Sequence, residues 1–314
     1  MPKLMMTCLV CSSLLVISSQ NAQNLMAQER AVSSKTPPGK EFVYKTSHGQ
    51  AQKIEVYFPV NHDPANHDPV NHDPVKSKVP GLLLFHGGGW RNGNLSSFRY
   101  VCQYFAKRGL VTATANYYMH PEEEAKALPQ GVSKKRVCVT DAKSAIRWMK
   151  QHAGELGFDP NRLIVGGSSA GGHVAVLGTL NPGLNDPTDP MEFNTDVVAY
   201  MLFNPALTNP GEDGDDEVDV FPYVKAGIAP SIMFFGSADK WNRGSLQLVP
   251  KLHELKSEAN LYMADGQGHT FYAKQPFYDS VIIEADKFLV SHHLLTGESP
   301  LPPVDEKYVL KLKE

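Results

Sequence analysis

A chain of 314 residues, 42% hydrophobic and 20% charged, is long enough for one large α/β domain with a substantial core. Its net charge is −3, with no basic run of note. That argues against nucleic acid as a partner, because phosphate binding needs clustered lysine and arginine.

The N-terminus reads as an export signal over residues 1–22. Lys3 supplies the charge, Leu4 to Ile17 the apolar core, and Ser18, Ser19 and Ala22 the small residues before cleavage. Cleavage after Ser19, Ala22 or Ala27 fits equally well. The apolar core is too short for a membrane span, so an exported protein, periplasmic or secreted and without stable membrane insertion, is expected. Cys8 and Cys11 leave with the signal. Cys102 and Cys138 remain, in helical patterns, and two cysteines are not a disulfide framework. Buried thiols are the expectation; a single bridge is the alternative.

Residues 23–40 are polar and carry proline and glycine, as a mobile lead-in does. Residues 41–46 and 53–58 alternate apolar and polar about Gly49, which predicts a β-hairpin. Three Asn-His-Asp-Pro units start at Asn61, Asn66 and Asn71, within a predicted surface loop over 59–79. Such a run buries no core, and its histidines have no strand or helix to fix a ligand geometry. Leu82 to Phe85 is a short buried strand. A helix is expected from about Ser96 to Lys107, a strand over 110–117 and a helical stripe of Ala142, Ala145, Ile146 and Met149. Beyond them, strands are expected at 197–203, 231–235 and 260–263, with helices at 246–255 and 277–295. An acidic stretch over 208–220 reads as a solvated loop, and residues 297–314 as a C-terminal tail. Strands alternating with helices mean a mostly parallel sheet, covered on both faces, within one domain over 41–296.

The chain is organised around residues 161–172. Leu163 to Val165 run into glycines and small residues, then into an apolar helical pattern ending near Leu180. The spacing Gly167-Ser168-Ser169-Ala170-Gly171 fits G-x-S-x-G at a strand–helix turn. A serine nucleophile must project from a strained bend, so positions two before and two after it must carry almost no side chain. Ser169 meets that demand; Ser168 would leave Gly166 before it and Ala170 after it. A serine also needs a base, and the base needs an orienting group. Asp239 follows the strand at 231–235, and His269 follows the strand at 260–263. Strand ends at one edge of a parallel sheet converge, so the two meet Ser169 there. Asp265 is the alternative acid, but it sits where the histidine loop belongs. His173, one helical turn after Ser169, is read as packing.

The loop His86-Gly87-Gly88-Gly89-Trp90 lets backbone amides approach a substrate carbonyl closely. Gly88, Gly89 and Ala170 are the expected oxyanion donors, while His86 pins the loop. Trp90, Tyr118, Trp241 and Phe271 flank these motifs and are candidate substrate-binding residues. No set of metal ligands stands at a convincing spacing.

In these motifs, and in the order Ser169, Asp239, His269, the chain resembles the α/β-hydrolase superfamily. More narrowly, it resembles the HGGG-bearing esterases related to hormone-sensitive lipase, acetyl esterases and the feruloyl and acetyl-xylan esterase group. The resemblance runs over roughly residues 40–295. It implies a twisted, mostly parallel sheet of about eight strands, and a serine carboxylic-ester hydrolase that needs no cofactor. The implied substrates are short-acyl or feruloyl esters, on a small molecule or a glycan. Residues 41–58 read as strands where hormone-sensitive-lipase relatives carry a helical cap, which implies an open site without a large cap.

Overall fold

A computed structural model describes residues 36–60, 78–207 and 214–313. The expected export signal, the Asn-His-Asp-Pro repeats and residues 208–213 of the acidic stretch lie outside the described residues.

The N-terminal hairpin pairs β1 (Lys40–Ser47) with β2 (Gln50–Tyr57), antiparallel, about a turn at His48 and Gly49. Then follow β3 (Val79–Phe85), helix α1 (Arg99–Lys107) and β4 (Val111–Ala115). Helix α2 (Lys135–Gln151) leads to β5 (Phe158–Ser168) and α3 (Ala170–Leu180). The chain continues through β6 (Ala199–Phe203), β7 (Ser231–Gly236), α4 (Asn242–Glu254), β8 (Ala259–Ala264) and α5 (Phe277–Ser291) to β9 (Lys311–Lys313).

Among the described residues, nine strands form one sheet in the order β1-β2-β4-β3-β5-β6-β7-β8-β9. Strands β3 to β8 run parallel, while β2 meets β4 and β9 meets β8 antiparallel. The ninth strand corrects the expectation of a plain C-terminal tail. Residues 311–313 pair with 261–263 because β8 would otherwise leave a row of backbone donors and acceptors open at the sheet edge.

Alternation along the strands sends side chains to two cores. Leu83, Phe85 and Leu202 pack with α2, α3 and α4 on one face. Leu82, Leu84, Met201 and Phe203 pack with α1 and α5 on the other. Cys138 lies in the first core and Cys102 in the second, so the sheet itself separates two free, buried thiols.

The acidic stretch corrects a second expectation. Asp215 is 5% exposed and takes both arms of the Arg136 guanidinium, at 2.8 and 2.7 Å, as well as the Ser133 amide. Asp219 is buried too and caps Phe221. A carboxylate met by a bidentate arginine is held, whatever the polarity of its neighbours in sequence.

Candidate active site

The turn after β5 is as tight as its spacing predicts. Ser169 sits at φ 50°, ψ −120°, outside the ordinary regions for a residue with a side chain. A Cβ on Gly171 would lie 2.0 Å from the Phe85 carbonyl oxygen, and one on Gly167 would lie 2.5 Å from the same atom. Both positions therefore exclude any larger residue, because β3 passes directly beneath the bend. Ser169 N–H donates to the carbonyls of Phe203 and Asn204, which fixes the turn against the end of β6.

At this bend Ser169 Oγ lies 2.9 Å from His269 Nε2, and His269 Nδ1 lies 2.8 Å from Asp239 Oδ2. The carboxylate can only accept, so Nδ1 carries the hydrogen and Nε2 is free to take one from the serine. Three residues separated by 100 and 30 positions meet because β5, β7 and β8 deliver them to one sheet edge. The loops after β7 and β8 are stitched together by Ala238 N–H to Gln267 O and Ser237 N–H to Ala264 O. Asp239 is almost fully buried, and the His269 side chain is 30% exposed. Burial alone would raise the Asp239 carboxyl. Hydrogen bonds from His269, the Trp241 amide and Asn204 outweigh that and hold it below the usual carboxylate range.

The alternatives weighed from the sequence lie elsewhere. Ser168 is buried, and Tyr272 hydrogen-bonds to it. Asp265 is exposed and accepts from Ser237 Oγ.

The glycine loop after β3 adjoins the nucleophile: a Cβ on Gly87 would be 3.1 Å from Ser169 Cβ. Gly88 and Gly89 both have positive φ, and the Gly88 carbonyl accepts from Arg91 and Asn92 to close the turn. Among the described loop hydrogen bonds, none uses the amides of Gly88, Gly89 or Ala170. Ala170 N–H opens helix α3, where it has no intrahelical acceptor.

Three side chains brace this loop. His86 is fully buried, stacks on Tyr117 and bonds the Gly87 carbonyl at 2.7 Å; burial pushes its pKa down, so it stays neutral. Tyr117 Oη donates to the His86 carbonyl. His173 does more than pack. Its Nδ1 accepts from Trp90 Nε1 at 3.3 Å and its Nε2 donates to Val218 O at 2.8 Å, tying the glycine loop to α3 and to the acidic stretch.

Of the four aromatic candidates for substrate binding, Trp241 alone is half-exposed. Phe271 is 2% exposed and packs edge-on against Phe277 in the core, which corrects its assignment. Tyr118 is likewise buried, stacked on His48 and bonded to Glu124. Trp90 is buried beneath the Lys135 ammonium, 3.9 Å from its ring centre. Asn204, whose side chain meets Asp239, is a site residue that the sequence pattern did not single out. An Asn-Pro pair closing a strand was its only signal, since asparagine tolerates the left-handed conformation.

Strained serine at a strand–helix bend, base and acid on later strand ends, and a glycine loop beside the serine define an α/β hydrolase. The BD-FAE family model matches residues 70–204. Carboxylesterase NlhH of Mycobacterium tuberculosis is 32% identical over 103 residues, covering 32% of this chain and 29% of that protein. Esterase LipI of the same species is 30% identical over 169 residues, 53% of this chain and 48% of LipI. The chain thus matches less than half the length of these curated relatives. Esterase 2 of Thermogutta terrifontis superimposes with a TM-score of 0.72 at 29% identity, covering 84% of this chain and 98% of that one. The chain has the α/β-hydrolase fold and is similar to the HGGG-bearing carboxylesterases that share it.

Proposed function

We propose that this protein is an exported serine esterase that hydrolyses short-acyl carboxylic esters through an acyl-enzyme. The observation that carries the reading is the hydrogen-bond chain from Ser169 Oγ through His269 to Asp239, with links of 2.9 and 2.8 Å. Ser169 Oγ attacks the ester carbonyl as His269 Nε2 takes its proton. Asp239 holds the imidazole in the tautomer that accepts at Nε2 and stabilises the imidazolium that forms. The negative charge on the tetrahedral oxygen meets Ala170 N–H, at the positive end of α3, and the amides of Gly88 and Gly89. His269 then protonates the departing alkoxide, and a water activated by the same base releases the acid.

The short-acyl assignment is supported by the propionate-bound and butyrate-bound forms of the Thermogutta esterase. Among the described residues, the connections that follow β3, β6 and β8 carry only short helical turns before the next main element, and none forms a helical cap. This supports an alcohol portion as large as a glycan hydroxyl. Export rests on the charge and apolar pattern of residues 1–22.

A substrate panel tests the reading: p-nitrophenyl acetate, butyrate and octanoate, methyl ferulate, and an acetylated xylo-oligosaccharide. We expect kcat/KM to peak between acetate and butyrate and to fall for octanoate. A ferulate preference would reassign the acyl group, and failure to turn over any of these esters would overturn the function.

A further inference from the structure

Asn204 lies directly after β6, where it is fully buried. It holds φ 46°, a conformation asparagine accepts at little cost and most residues do not. Its backbone is committed on both sides: the amide donates to Phe234 O on β7, and the carbonyl accepts from Ser169 N–H. Its side-chain Nδ2 donates to Asp239 Oδ2 at 2.6 Å, the same oxygen that takes the His269 Nδ1 hydrogen. The other oxygen, Oδ1, accepts from Trp241 N–H at 3.0 Å. One residue thus touches both the acid and the backbone of the nucleophile without reaching the surface.

We propose that Asn204 is a positioning residue of the catalytic apparatus, locking the Asp239 carboxylate so that Oδ2 points at His269 while setting how strongly that oxygen attracts the imidazolium. The inference rests on the triad reading above. Two effects follow from the geometry. A carboxylate bonded on one oxygen by Trp241 and on the other by Asn204 cannot rotate away, so the histidine keeps its tautomer and aim. The amide hydrogen also draws charge from Oδ2. Removing it leaves a more basic carboxylate, which favours protonated His269.

Asn204→Gly tests this best, since glycine keeps the left-handed backbone while removing the side chain and its amide. Asn204→Asp keeps the shape and the αL tolerance but replaces the donor with an acceptor. It carries the test if the glycine variant does not fold. For either variant we expect kcat to fall roughly 10-fold to 100-fold with KM within about twofold, because Asn204 does not meet the substrate. We also expect the acidic limb of the kcat/KM profile to move to higher pH, which a merely structural role would not cause. A folded variant with wild-type kcat and an unmoved acidic limb overturns the inference. Ser169→Ala, run alongside, separates the two readings. If that variant retains full turnover, the triad itself is wrong; if it is inactive while the Asn204 variants behave as wild type, only the role of Asn204 falls.

Discussion

The loops around Ser169 and the strap of residues 181–196 both bury polar groups, but left-handed backbone gathers around the first, while the strap has it at Leu184 alone among its non-glycine residues. At the site, Ser169, Asn204, Trp90 and Thr270 all hold positive φ, and Ser169 and Asn204 direct their side chains to His269 and Asp239. Along the strap, Lys143, Arg147 and Lys150 share one stripe of α2 and satisfy ordinary loop carbonyls and carboxylates. Lys143 Nζ bonds Asn181 O and Gly183 O. Arg147 bonds Asp189, Asn185 and Phe193 O, and Lys150 bonds Asn194 and Asp196 O. Asp186 on the strap reaches Lys45 of β1 at 2.6 Å. The site spends conformational energy to hold reactive groups in place, and the strap uses charge to hold a loop that has little apolar surface to bury. Damage to the first should therefore cost rate, and damage to the second should cost stability.

The largest expected effect sharpens the first half of that contrast. Ser169→Ala should cut turnover roughly 10⁴-fold to 10⁶-fold, since triad members act as a unit, while leaving the melting temperature near wild type, because alanine keeps the Cβ and with it the same backbone strain. A fluorophosphonate probe and peptide mapping locate the nucleophile directly. Adduct on Ser168, or undiminished labelling of the alanine variant, would displace the triad.

The strap supplies the converse. Arg147→Met leaves Asp189, whose side chain is 7% exposed, without its counter-charge and frees the Phe193 carbonyl. Breaking a buried pair in this way costs about 3–5 kcal/mol, a fall in melting temperature on the order of 10 °C. The kcat of the folded fraction should hold. A large loss of kcat with unchanged stability would erase the distinction between the two regions.

Acid probes the strap again, more gently. Burial tends to raise the Asp186 carboxyl, but Lys45 and Thr188 override it and bring its pKa down to about 2. An unfolded aspartate titrates near ~3.9, so the folded state gains from this group above that pH and loses the gain as pH falls towards 2. The amount is about 2 kcal/mol. Wild type should therefore outlast Asp186→Asn in thermal melts at pH 5, with the gap closing at pH 2.5. An equal gap at both values would mean the ion pair contributes nothing.

The smallest effect is expected from deleting residues 61–74. The repeats carry only Ala65 and Val70 as apolar side chains, and shortening a connection of this length changes closure entropy by only about 1 kcal/mol. Activity and melting temperature should both stay near wild type. A large loss restored by a divalent metal would make the histidines ligands.

What was legible in the sequence was whatever depends on local spacing or period. Gly167 and Gly171 around Ser169 are dictated by contacts within one bend and the strand beneath it. The order of Ser169, Asp239 and His269 follows from strands that end at a common edge. The two-sided core could be read from the runs at 82–85 and 231–235, since a strand buried on both faces must be apolar throughout. Tertiary structure alone decided the partners of polar side chains. Lys143, Arg147 and Lys150 look like the solvated face of an amphipathic helix, and Asp215 looks like one acid among many. Each is buried because a distant segment brings its complement, and a polar group can go inside wherever such a partner waits. Asn204 is hidden for the same reason, because nothing local to Asn-Pro indicates that Asp239, 35 residues later, will accept its amide. Residue β9 pairing and the burial of Phe271 likewise depend on what comes to lie against them. Period and spacing record the backbone's own geometry, whereas the pairing of charges records an encounter between segments that only the folded chain arranges.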